Sequence, residues 1–366
     1  MKGLKTILFA AAAMIAIPSM VTSCDDWTEI EAKDYFSASA NTEAYKAQLK
    51  NYFSSPHKVM FGWFGSWSAG NISNKLIGLP DSTDFVSLWL CYGNLSEAQQ
   101  ADLKAFQERG SRAVLCWLNT NIGENITPGV NGIPNKDDAF KYWGYIPTNG
   151  YDEPQFDANG EPILDENGEQ VTIHHEYTLE SHIAAAEKYA EAIADTCEKY
   201  NIDGFDADLE AHGTLITYDG VVLNAFFRKL IERFEPAGRW LVLDIPGGTG
   251  WLGYYDIVDE DVLKKVKYIC WQTYELGHSG LNNFFDAVKG YKPDIYEEVL
   301  SKSIITATFE RASDKYLFPE HSTWRHRDGL PHAGQGAYHI EYDYPGNPDY
   351  PYVRAGISTQ NPPIYE

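Results

Sequence analysis

Asp203-Gly204-Phe205-Asp206-Ala207-Asp208-Leu209-Glu210 carries a carboxyl at every second position of a short run that is otherwise small or apolar. Side chains of a β-strand alternate between faces, so Asp206, Asp208 and Glu210 share one face and Phe205, Ala207 and Leu209 the other. Same-face neighbours then stand roughly 6.6 Å apart along the strand. Three ionised carboxyls in a row on a buried face would repel one another and lose hydration. At least one should therefore hold its proton near neutral pH, as a general acid must. A strand apolar on one face and acidic on the other suits a barrel. The apolar face packs under helices, and the acidic face points inward and toward the mouth.

The rest of the chain repeats the unit. Apolar, β-prone runs at 58–62, 85–90, 113–118, 204–209, 240–245, 268–273, 304–309 and 337–342 alternate with helical patterns. That is the signature of βα units around a parallel sheet. Eight runs predict a closed (β/α)8 TIM barrel, with Glu210 at the C-terminal mouth where barrel active sites lie. The clearest helix carries Leu179, Ile183, Ala186, Ala190, Ile193, Cys197 and Tyr200 as one stripe. Another carries Leu223, Phe226, Phe227, Leu230, Ile231 and Phe234, and a third runs from about Glu97 to Arg109 and stops at Gly110. No helix is evident after the sixth and seventh runs, which predicts irregularity there. Residues 119–177 are too many for a simple βα loop. They contain the turns Asp157-Ala158-Asn159-Gly160-Glu161 and Asp165-Glu166-Asn167-Gly168-Glu169, which predict a β-hairpin insertion after the third strand. A calcium loop is the alternative, although EF-hand spacing is absent.

The pattern Asp-Gly-x-Asp-x-Asp-x-Glu at 203–210 resembles the catalytic signature of family-18 glycoside hydrolases, with no position departing from it. The resemblance implies that Glu210 protonates the glycosidic oxygen, that Asp208 orients the N-acetyl group of the substrate, and that Asp206 supports Asp208. It also implies substrate assistance, in which the acetamido oxygen attacks the anomeric carbon and configuration is retained. In the sixth run, Trp271-Gln272-Thr273-Tyr274-Glu275 resembles endo-β-N-acetylglucosaminidases that release N-glycans more than it does chitinases. Tyr274 would donate to the acetamido oxygen and Gln272 would share its face; a core tyrosine is the alternative. Further candidates for substrate contact are Trp63 and Trp67, either of which could equally be core, and Glu341 and Tyr342 at the end of the eighth run. The expected partners are therefore N-glycans or N-glycoproteins, cleaved at the GlcNAc-β-1,4-GlcNAc core. A chitinase, or a non-catalytic glycan binder on the same barrel, are the other readings.

No cofactor is implied. His174, His175 and Glu176, and the group His321, His326 and His332, lack zincin spacing and read as loop residues, so no metal site is assigned. Cys91, Cys116, Cys197 and Cys270 read as buried free thiols in apolar surroundings, with a disulfide as the alternative. The chain has 366 residues, 29 Lys+Arg against 52 Asp+Glu and a formal charge of −23, which disfavours nucleic acid and anionic membranes as partners. Its 10 Trp, 24 Tyr and 17 Phe suit a neutral ligand with apolar faces, such as a sugar. At the N-terminus, Lys2 and Lys5 precede an apolar run from Ile7 to Met20, too short to span a bilayer, and then Val21-Thr22-Ser23-Cys24. This resembles a bacterial lipobox with Cys24 as the acylated residue, and Asp25-Asp26 resembles surface-export signals of Bacteroidetes lipoproteins. An ordinary signal peptide with an incidental cysteine is the alternative. The expected organisation is a lipoprotein signal peptide at 1–23, a lipidated tether at 24–52 and a catalytic barrel at 53–366. The expected location is the outer membrane, exposed at the cell surface.

Overall fold

The computed structural model describes residues 42–128 and 139–362; the leader, Cys24 and most of the expected tether lie outside them. Eight parallel strands close into a barrel within the compact unit Leu49–Glu366. In chain order the strands are β1 (Val59–Phe64), β2 (Phe85–Trp89), β3 (Arg112–Leu118), β4 (Tyr151–Pro154), β5 (Thr172–His175), β6 (Gly204–Asp208), β7 (Trp240–Pro246), β8 (Tyr268–Gln272), β9 (Ser303–Thr308) and β10 (Gly334–Tyr338). The barrel runs β1-β2-β3-β6-β7-β8-β9-β10 and returns to β1, while β4 and β5 form a separate antiparallel pair. It is the (β/α)8 architecture that eight apolar runs predict.

Strand alternation sorts the core into two layers. Phe61, Trp63, Phe85, Val114, Cys116, Val242, Cys270 and Ile304 pack together inside the barrel. Met60, Phe64, Val86, Leu115, Phe205, Ala207 and Leu243 pack outward against the helices. The apolar face of β6 is thus spent on helix packing, which turns Asp206 and Asp208 inward. The helix Leu179–Tyr200 starts at Thr178, whose hydroxyl accepts from the Ser181 N–H, and ends at Asn201 in the left-handed conformation. The helix Glu97–Glu108 opens on a capping box between Ser96 and Gln99.

The insertion after β3 is a β structure, as its turns predict. Its two Asp-x-Asn-Gly-Glu turns are near copies: Asp157 Oδ1 accepts from the Asn159 and Glu161 N–H groups, and Asp165 Oδ1 from those of Asn167 and Glu169. His174 and His175 lie on β5 rather than in a loop, paired with Asp152 and Glu153 across the strands. Cys116, Cys197 and Cys270 are buried free thiols, and Cys91 is a half-buried one.

Two further expectations need correction. The eighth barrel strand is Gly334–Tyr338, earlier than 337–342. His339 turns the chain into the left-handed region at φ 52°, and Ile340–Asp343 coil into a 3-10 helix. The glycines at 334 and 336 hide the strand in the sequence, yet its pairing with β1 and β9 fixes it. The barrel is also regular after the sixth and seventh barrel strands. His278–Tyr291 buries Leu281, Phe284, Phe285 and Val288 on one stripe. Ala312–His321 forms with Asp314, Phe318 and His321 as its buried residues, too polar a face to announce itself by periodicity.

Candidate active site

The C-terminal ends of β1, β2, β6, β7, β8 and β10 surround a cavity of about 410 Å³ whose walls include Trp63, Asp208, Glu210, Asp244, Gln272 and Tyr274. Asp208 ends β6, and Glu210 stands two residues on at the rim. The Leu209 N–H donates to the Asp244 carbonyl and the Asn119 N–H to that of Asp208, which holds the strand end between its neighbours. Asp206 lies one step deeper, fully buried, and its Oδ2 accepts from Trp63 Nε1 at 3.1 Å and Ser87 Oγ at 2.5 Å.

The Gln272 amide holds the acidic groups together. Its Nε2 lies 2.5 Å from Glu210 Oε1, 3.1 Å from Asp244 Oδ1 and 3.4 Å from Asp208 Oδ1. An amide NH2 has two protons for these three oxygens. Among the described residues that line the cavity none is a lysine or arginine. One ligating atom each from Cys116, Asp206 and Asp244 lies within 4.8 Å of the others, all buried. Two full negative charges about 5 Å apart would repel by roughly 3 kcal/mol at an effective dielectric of about 20. The group relieves this by holding protons. Burial, then the charges of Glu210 and Asp206, push the Asp208 carboxyl well above the usual range. Burial, then Asp208, does the same to Asp244. Burial raises Asp206 to about 6 against hydrogen bonds from Ser87, Cys116 and Trp63 that favour its anion. Burial first, then Asp244 and Asp208, raises the Tyr274 phenol, so Tyr274 faces the cavity as a neutral hydroxyl.

The cavity therefore gathers Asp208, Glu210, Gln272, Tyr274 and Trp63, with Asp206 beneath. Trp63 belongs to both readings, a core ring that also lines the wall and bonds Asp206. Three other candidates fall outside it. Trp67 turns away and its indole donates to Asp102 on the helix Glu97–Glu108 at 2.8 Å. Glu341 is a structural brace: its carboxylate accepts from the Gly65 N–H at 3.1 Å and meets His339 Nδ1 at 2.7 Å. Tyr342 stacks on the His339 ring on the surface, since β10 ends four residues before it. Asp244, Trp89 and Tyr338 line the site without having stood out in the sequence. Asp244 had a readable signal, a lone acid inside the apolar run Trp240-Leu-Val-Leu-Asp-Ile-Pro246. Its register opposite Asp208 is a fact of sheet pairing.

Comparison with known proteins agrees with this architecture. The profile of glycoside hydrolase family 18, BT1044-like, matches residues 28–159. A selenomethionine-labelled glutamate-to-glutamine variant of BT1044 superposes with a TM-score of 0.67 at 31% identity, over 88% of this chain and 95% of that one. An endo-beta-N-acetylglucosaminidase from Cordyceps militaris shares the fold at 17% identity and a TM-score of 0.57, over 88% and 97% of the two chains. A family GH18 chitinase from Pseudoalteromonas aurantia shares it at 10% identity and 0.50, over 82% and 99%. No curated protein matches the sequence. With nearly a third of its residues identical over almost the whole of BT1044, the chain belongs to glycoside hydrolase family 18, in its BT1044-like group.

Proposed function

We propose that this glycoside hydrolase is an endo-acting, retaining enzyme that cuts the GlcNAc-β-1,4-GlcNAc core of N-glycans by substrate assistance. The observation that carries the reading is the Gln272 amide in contact with Asp208, Glu210 and Asp244 in one mouth cavity. Glu210, at the rim, gives its proton to the glycosidic oxygen. The acetamido oxygen of the sugar on the non-reducing side of the cut attacks the anomeric carbon and forms an oxazolinium ring. Asp208 accepts the acetamide N–H, and Asp206 below takes up the change in charge. The Tyr274 hydroxyl is the donor available to the acetamide, since the Gln272 amide protons are already shared among the three carboxyls. Glu210, now a carboxylate, then draws a proton from the water that opens the ring. A Cordyceps militaris endo-beta-N-acetylglucosaminidase variant was crystallised in complex with fucosyl-N-acetylglucosamine-Asn, which fits this substrate class.

The test incubates the chain from Asp25 onward with a panel of N-glycoproteins and reads released glycans by mass spectrometry. Glycans one GlcNAc short, with release slowed about 10²–10⁴-fold in Glu210→Gln, are expected. Absence of release from every glycoprotein, with soluble oligomers released from chitin, would replace this reading by chitinase. Tight glycan binding with no turnover would replace it by a binding protein.

We also propose that Cys24 is acylated and holds the enzyme at the outer surface of the outer membrane. Metabolic labelling with an alkyne-bearing fatty acid, lost in Cys24→Ser, is the expected result. Label retained in that variant would sink the anchor.

A further inference from the structure

A second cavity, of about 440 Å³, opens at the other end of the barrel. Its walls use the first residues of four strands, Val59 of β1, Arg112 of β3, Trp240 of β7 and Tyr268 of β8. It therefore lies on the floor, remote from the catalytic carboxyls at the strands' far ends. In a chain of net charge −23, three of its lining residues are Lys50, Arg112 and Lys267.

Two of these cations, Arg112 and Lys267, lie against aromatic rings. The Arg112 guanidinium carbon lies 4.4 Å from the centre of the Trp240 ring. Lys267 Nζ lies 5.4 Å from Trp240 and 5.3 Å from Tyr268. An aromatic face attracts a cation and orients it while leaving its full charge to act on an anion. Two carboxylates stand nearby: Asp84 lines the cavity and Asp203 is ion-paired with Arg112. Asp84 is held by His57 Nε2 at 2.6 Å and the Met60 N–H at 2.8 Å. Asp203 stands 3.7 Å from Arg112 but accepts from Gln107 at 2.9 Å and the Ala113 N–H at 2.9 Å. Arg112 also donates to the Gly238 carbonyl at 3.0 Å, which carries no formal charge. Burial, then the charges of Arg112 and Lys302, lowers the pKa of Lys267.

We propose that the floor cavity binds a phosphate-bearing ligand, with the phosphate between Lys267 and Arg112 and the organic portion against Phe53 and Tyr268. A dianion matches two adjacent cations, and the guanidinium fork suits phosphate oxygens. The volume exceeds what inorganic phosphate fills, and Phe53, Trp240 and Tyr268 line the wall, so the natural ligand is an ester. A soluble phosphate ester and a phospholipid headgroup share this chemistry.

The experiment is isothermal titration of the chain from Asp25 onward with inorganic phosphate and with phenyl phosphate, joined by flotation with phosphatidylcholine vesicles with and without phosphatidylglycerol. Both phosphates should bind, phenyl phosphate more tightly, and Lys267→Gln should weaken both by about tenfold or more. Lys104→Gln, which removes an exposed charge from the helix Glu97–Glu108, should leave binding unchanged, and both variants should keep wild-type glycosidase activity. Flotation with phosphatidylglycerol that Lys267→Gln abolishes identifies a headgroup. Phosphate binding without flotation identifies a soluble ester, and either supports the site. No heat with either phosphate, or equal weakening by the Lys267 and Lys104 variants, would overturn it.

Discussion

Asp206, Asp208 and Asp244 are acids set where their anions are disfavoured, and the sign of the consequence is definite. Each binds its proton more tightly in the folded chain than in the unfolded one. The stability that this binding contributes is complete below the ordinary carboxyl value of 3.8 and is lost as pH rises through the raised values, about 6 for Asp206. The melting temperature should therefore fall as pH rises from about 4 through about 6 and beyond, and Asp244→Asn should flatten that fall by removing one proton from the linkage. A differential scanning fluorimetry series in pH reads both, and an unchanged slope in the variant would remove Asp244 from the proton-sharing group. Asparagine mimics the protonated acid, so the cavity should survive the change. At this scale the sequence was legible wherever chemistry repeats along one strand, as at 206, 208 and 210. It was opaque wherever two strands meet. Asp244 faces Asp208 through a sheet register, and Trp67 faces Asp102 through a packing direction, and neither follows from spacing.

Elements form here by local rules that can be broken one at a time. Ser96 caps the helix Glu97–Glu108 through the Gln99 N–H, and the Gln99 amide in turn donates to the Trp67 carbonyl at 2.9 Å. Ser96→Ala should cost about 0.5–2 kcal/mol in urea denaturation with activity retained. The β insertion is the opposite case. Its turns are exposed and bond mainly to themselves, with Phe156, Ile163, Leu164 and Ile173 open to solvent. Replacing residues 155–171 by a short Gly-Ser link should leave the melting temperature within a few degrees, as expected of exposed loops. The same change should alter which glycans are released more than how fast a preferred one is cut. An unaltered glycan profile would show that the insertion takes no part in selection. Turn chemistry made this element readable, whereas Ala312–His321 lacks an apolar stripe and was not.

The closed barrel is set by a few backbone contacts that admit no side chain. Gly204, second residue of the acidic signature, sits at φ +153°, and a Cβ there would lie 2.0 Å from the Trp240 carbonyl oxygen on the adjacent strand. Gly204→Ala should destabilise by about 3 kcal/mol or more, read by urea denaturation, because β6 and β7 must part to admit it. The glycine in the signature is therefore architectural, while the acids after it are chemical. Eight strands were countable because seven of them are apolar runs. The eighth shows how pairing on both edges makes a strand of Gly-Gln-Gly-Ala-Tyr, which propensity alone would pass over. The proton-sharing acids also carry a historical meaning. At neutral pH their burial works against folding, so a lineage released from the reaction would gain stability by drifting to Asn or Ser at 206, 208 and 244. Disuse would erase this site from the bottom of the cavity upward, and a descendant with the deep acids already gone would be legible as one that had changed its trade.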